Sequence, residues 1–204
     1  MKKYYFIHIP KTGGTYLKNK VSNITYLGHI GYNDISIKGW GSWSTKGLLN
    51  KTTVLGGYKN LQIPKSRLFT VIRDPYDFIG SYYHYKGKDG SNGWGNCNEI
   101  HKIESFDQFL EYFLDDSFKW HAPHFQKNIY WQIFDGNKLL LDKDNIFYTD
   151  TLNNDITNFI IKNNLKWDFK PKDNKIKKYY HLYNDSQISY IKNKYKFLFE
   201  MFNF

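Results

Sequence analysis

The run from Lys3 to Ile9 is rich in β-branched and aromatic residues; Pro10 stops it, and Lys11-Thr12-Gly13-Gly14-Thr15 follows. This succession narrows the folding options most. Such a run suits a buried strand. Proline has no N–H to give a ladder, so the strand ends there. The two glycines permit a tight loop, and Tyr16 to Val21 reads as a short helix. Strand, glycine loop and helix together make half of a βαβ unit.

The alternation continues along the chain. Ile24 to Leu27 is a second strand candidate, ending at Gly28-His29. Leu68 to Ile72 is the clearest central strand, and its apolar run stops at Arg73-Asp74-Pro75. A helix is expected from about Tyr76 to Tyr85. Ser105 is placed as an N-cap, with Gln108 three residues on and Phe106, Phe109, Leu110 and Phe113 at helical spacing. Further helices are expected over Pro123 to Phe134, Asp155 to Lys162 and Ser186 to Phe202, with a strand over Asn145 to Tyr148. The stretch from Gly31 to Gly57, rich in Gly, Trp, Ser and Asn, reads as irregular chain that could face a substrate. Strands alternating with helices imply an α/β fold with a central, mostly parallel sheet flanked by helices. No internal repeat or low-complexity linker divides the 204 residues, so they read as one domain, 1–204.

Aromatic residues make up 20% of the chain, enough to fill a core with rings and to argue against disorder. The formal charge of +10 favours anionic partners. Nucleic acid, an acidic membrane surface, a phosphorylated cofactor and a sulfated glycan all fit, as does a plain solvated Lys-rich surface. Cys97 stands alone, so neither a disulfide framework nor a cysteine zinc site is expected. The apolar stretch ending at Pro10 is too short for a signal segment or a membrane span, and a cytoplasmic protein is the expectation.

Two segments carry chemistry. Backbone N–H groups at a loop entering a helix point outward, and the helix start carries partial positive charge. Gly13 and Gly14 let that backbone approach an anion, Lys11 adds a full charge, and Thr12 and Thr15 add hydroxyls. The order is not that of a Walker A loop, because the lysine precedes the glycines. An ordinary strand–helix turn would also use these residues. In the second segment, Arg73 sits where a strand ends and Ser81 lies about two turns into the next helix. In a parallel sheet both loops emerge at the carboxyl edge, where α/β proteins bind ligands. Arg73 could equally pair with Asp74 or Asp77, and Ser81 could be a helix surface residue.

Together, His8-Ile9-Pro10-Lys11-Thr12-Gly13-Gly14-Thr15 and Arg73-Asp74-Pro75 through Ser81-Tyr82-Tyr83 resemble the cofactor signatures of the sulfotransferases that use PAPS (3′-phosphoadenosine 5′-phosphosulfate). The first is similar to the 5′-phosphosulfate loop of the carbohydrate, heparan 2-O-type branch. The second is similar to the 3′-phosphate segment, and Asp77 with the Tyr-Tyr-His ending also resembles cytosolic members. His121-Ala122-Pro123-His124-Phe125-Gln126 and the stretch from Tyr180 to Phe204 extend the likeness weakly. Phe78 stands where many carbohydrate-branch members carry Arg.

The resemblance implies a P-loop-NTPase-like sulfotransferase fold. It also implies in-line passage of a sulfuryl group from PAPS to an acceptor hydroxyl, foremost a carbohydrate, with 3′-phosphoadenosine 5′-phosphate as product and no metal. Lys11 would stabilise charge on the leaving phosphate, with Thr12, Gly13, Gly14, Thr15 and Tyr16 around it. Arg73 and Ser81 would hold the 3′-phosphate. His29, in Leu27-Gly28-His29-Ile30-Gly31, resembles the segment that supplies a catalytic histidine, and is the candidate general base. A loop histidine bonded to backbone is the plainer reading. Lys175 and Lys177 stand where family members place a basic loop over the cofactor, though a plain solvated basic run is the better reading of them. Two other classes stay open: a basic protein that binds single-stranded nucleic acid, and a P-loop-type small-molecule kinase.

Overall fold

The computed structural model describes residues 3–21, 24–28, 62–85, 103–115, 129–136, 138–171 and 176–204. The chain divides into two compact units, each discontinuous in sequence. The first comprises Met1–Arg73 and Tyr130–Ile176, the second Asp74–Ile129 and Lys177–Phe204.

The first unit is an α/β layer. Its elements are β1 (Tyr5–Ile7), α1 (Gly14–Lys20), β2 (Thr25–Gly28) and β3 (Leu68–Ile72). The second unit then supplies α2 (Pro75–Tyr85) and α3 (Phe106–Leu114). The chain returns to the first unit for β4 (Phe134–Asp135), β5 (Lys138–Leu139), β6 (Ile146–Tyr148) and α4 (Leu152–Asn163). It finishes in the second with α5 (Asp185–Lys194) and α6 (Lys196–Phe202). Among the described residues, four strands form a wholly parallel sheet in the order β2-β1-β3-β6. All five residues of β3 are buried, as expected for a parallel strand covered on both faces.

Rings fill one face of this sheet. Phe6, Phe69, Val71 and Phe147 alternate along their strands and meet Leu17 and Val21 at α1 and Leu152, Ile156 and Phe159 of α4. Phe69 lies 5.2 Å from Phe6 and 5.7 Å from both Phe147 and Phe159, centroid to centroid. Truncating such a fully buried ring costs about 3–5 kcal/mol.

In the second unit, α3 starts where the spacing predicts: the Ser105 hydroxyl accepts the Gln108 N–H at 3.2 Å. Its Phe109, Leu110 and Phe113 are buried. Asn184 and Gln187 form a reciprocal capping box at the start of α5.

Two expectations are corrected. The helix over Pro123 to Phe134 does not extend through its described end. Trp131–Ile133 is a single 3₁₀ turn, and Phe134–Asp135 pairs antiparallel with Lys138–Leu139. Gly136, at φ 59°, turns that hairpin just past the end of the expected helix. The helix over Ser186 to Phe202 is two helices, α5 and α6, which meet at Tyr195. Ile191, Tyr195, Leu198 and Phe202 are all buried, so the apolar row stays in phase across the break and periodicity cannot reveal it. No helix among the described residues is long and apolar enough to cross a membrane.

Candidate functional site

Strands β1 and β3 are neighbours, with Ile7 beside Thr70. From β1 the chain moves to β2 on one flank, whereas β6 lies on the other flank, beyond β3. The carboxyl ends of β1 and β3 therefore border a topological switch point, where open α/β sheets form a crevice. Lys11 follows β1 at that edge and Arg73 follows β3 directly.

Arg73 is only 8% exposed, and its Nη1 donates to the Lys11 carbonyl at 3.5 Å. Lys11 itself is held at φ 65°, the left-handed region that a lysine rarely enters. Holding a non-glycine residue there costs on the order of 1–3 kcal/mol, and such strain gathers at ligand sites. Burial lowers the Lys11 ammonium from its ordinary value to about 8, and the nearby Arg73 charge pushes the same way. The fold thus brings two cations together against their own electrostatic preference. A bound anion would reverse both effects on Lys11.

The loop between them is fastened from below. Gly13, the N-cap of α1, takes φ 99°, a conformation that disfavours any side chain. A Cβ on Gly14 would run into the imidazole of His8. His8 is buried, stacks on Phe6 and is hydrogen-bonded through Nδ1 to the Tyr26 hydroxyl, whose pKa burial raises. Thr12 is fully buried and its hydroxyl donates to the Ile9 carbonyl at 2.8 Å, so that proton stabilises the loop. Thr149, just past β6, donates through Oγ1 to the carbonyls of Thr12 and Ile72, both at 3.0 Å. It ties the β1 loop to the end of β3. With only seven residues, α1 offers a weak dipole, so Lys11 and Arg73 supply most of the positive charge at this edge.

Lys11, Thr12, Gly13, Gly14 and Arg73 therefore converge in the first unit. Thr15 is exposed on α1, and the Tyr16 hydroxyl donates to Asn153 Oδ1 at 2.6 Å. Thr149 also opens a cavity of about 280 Å³, lined further by Asp150, Thr151, Leu152, Asn153, Asn154 and Ile176. Ser81 and Lys177 belong to the second unit: Ser81 is buried on α2, and Lys177 is exposed. His29 and Lys175 lie outside the described residues, as do His121 and His124.

The carboxylates that sequence alone offered to Arg73 have other work in the second unit. Asp74 Oδ1 accepts the N–H groups of Tyr76 at 2.8 Å and Asp77 at 3.2 Å, capping α2. Burial raises the pKa of the Asp74 carboxyl, although those two bonds oppose the rise. Asp77, itself buried, pairs with Lys178 at 3.0 Å. Sequence reasoning passed over Thr149 and the His8–Tyr26 contact. Thr149 carried a usable signal, because it is the polar residue after an apolar strand run, as Arg73 is after β3.

No family model, curated protein or solved structure matches this chain.

Proposed function

We propose that the chain is a PAPS-dependent sulfotransferase whose first unit is a P-loop-like sulfotransferase sheet. One observation carries the reading: Lys11 and Arg73 stand together at the carboxyl edge of adjacent parallel strands, on a strained loop, with the Lys11 ammonium depressed. Two cations at a switch point suit a ligand with more than one anionic group.

The groups present fit such a ligand. Lys11 supplies a mobile charge, Arg73 a planar fork for phosphate, and Gly13 a backbone that can approach closely. When bound, PAPS supplies the sulfuryl group and leaves as 3′-phosphoadenosine 5′-phosphate. Lys11 neutralises charge on the departing phosphate, which requires its protonated form. Arg73 orients the nucleotide and keeps the Lys11 carbonyl in place. The first unit's polar cavity, beginning at Thr149, extends the same edge and gives room for more of the nucleotide. Ser81 of α2 is assigned to the 3′-phosphate on its resemblance, and His29 to the proton of the acceptor hydroxyl.

Thermal stabilisation tests this directly. 3′-Phosphoadenosine 5′-phosphate is expected to raise the melting temperature more than AMP, ATP or an oligonucleotide does, and labelled PAPS to pass sulfate to a carbohydrate acceptor. Stabilisation by ATP alone would replace the reading with a kinase. Stabilisation by oligonucleotide alone would replace it with a nucleic-acid-binding protein.

A further inference from the structure

The second unit contains a built contact that the proposed chemistry leaves unused. Asp77 is 4% exposed on α2, and its Oδ1 accepts the backbone N–H of Tyr179 at 2.7 Å. Its Oδ2 pairs with Lys178 at 3.0 Å. One helical turn on, Gly80 leaves no space for a side chain, because a Cβ there would meet the Cβ of Tyr179. A further turn on, His84 stacks against the Tyr179 ring, centroids 4.8 Å apart. Residues 77, 80 and 84 thus form one stripe of α2 that grips a single point of the chain. The exposed Lys177 lies two residues before that point, and Ser81 sits on the same helix.

From this geometry we infer that Asp77 is a positioning residue for 3′-phosphate recognition. It latches the Lys177–Lys178 segment to the helix that carries Ser81. The inference rests on the proposed function, since it concerns the 3′-phosphate of the same nucleotide. A buried carboxylate is costly unless its bonds are satisfied, and here both oxygens are engaged by the segment it holds. Releasing the segment frees the backbone that carries Lys177 and Lys178, and ordering it again opposes binding. The 5′-phosphate end does not use them, so the loss falls on one end of the ligand.

The experiment compares the dissociation constants of 3′-phosphoadenosine 5′-phosphate and AMP for the full chain, by calorimetry. The same pair is measured with Asp77→Asn and Lys178→Ala, each checked for an intact fold by melting and far-ultraviolet circular dichroism. In Asp77→Asn, affinity for the doubly phosphorylated nucleotide should fall roughly tenfold while affinity for AMP holds, from the cost of ordering the freed segment. Lys178→Ala, which removes one partner of Asp77 and leaves the Tyr179 N–H in place, should shift the ratio in the same direction. An equal loss of both ligands, or an unchanged ratio in both variants, overturns the inference while leaving the sulfotransferase reading in place. A wild-type chain that fails to prefer the 3′-phosphorylated nucleotide overturns both.

Discussion

The Lys11–Arg73 edge of the first unit and the Asp77–Lys178 contact of the second handle charge in opposite ways. In the first, like charges from two neighbouring strand ends meet, the backbone of Lys11 is strained, and its ammonium is easier to deprotonate than usual. In the second, opposite charges meet at 3.0 Å and the carboxylate also accepts a backbone N–H. One arrangement gains from an anion supplied from outside, whereas the other is already neutralised by its own chain. The lesson is that charges the fold sets against each other call for a ligand directly, whereas charges the fold pairs can only hold in place a segment that meets one.

The largest expected effect separates strain from function at Lys11. On the proposed mechanism, Lys11→Gly should lower sulfuryl transfer by about 100-fold or more, since it removes the charge assigned to the leaving phosphate. The same change should leave the melting temperature unchanged or raise stability by about 1 kcal/mol, because glycine accepts the left-handed backbone. Activity retained at the wild-type level would remove Lys11 from the mechanism and break the comparison.

Gly14→Ala comes next. Its added methyl group displaces His8, so stability should fall by about 1–3 kcal/mol in denaturant unfolding. Nucleotide affinity should fall with it, and a fully stable Gly14→Ala variant would mean that His8 does not support the loop.

The pH dependence sharpens the comparison further. As pH rises through about 8, Lys11 in the ligand-free protein loses its proton, and affinity for an anionic nucleotide should decline. Its effect on stability has the opposite sign. Between about 8 and its ordinary value of 10.5, the unfolded chain holds the Lys11 proton and the folded chain does not, so this lysine's contribution to stability grows with pH. Arg73→Gln removes the repulsion and should move the Lys11 titration upward, read from the pH dependence of its chemical labelling. An unmoved titration would show that burial alone depresses it.

The smallest effect is a control in the second unit. Ser105→Ala removes the cap of α3 and should cost about 1 kcal/mol in unfolding experiments without changing nucleotide affinity.

Local chemistry made much of this molecule legible in its sequence. Leu68 to Ile72 is a strand as its unbroken apolar run requires, and Ser105 caps a helix as its spacing to Gln108 requires. Alternating apolar runs and glycine or proline stops also specified an α/β chain with a parallel sheet. Two helix readings failed: the one ending at Phe134 ran into a 3₁₀ turn and a short hairpin strand, and Tyr195 broke a helix without disturbing its periodicity.

The candidate site divides along the same line. Residue types and order put forward Lys11 and the two glycines as an anion cradle, because anions call for cations and open backbone, and it took the family resemblance to join Arg73 to them. Only the tertiary structure decided that β1 and β3 lie side by side, which sets Lys11 against Arg73 and lets Thr149 bind the loop to the strand end. Only it decided that Asp77 belongs to Lys178 and Tyr179. The reason is physical: a side chain's preference for charge is written in its own atoms, whereas its neighbour and its desolvation are set by residues tens of positions away.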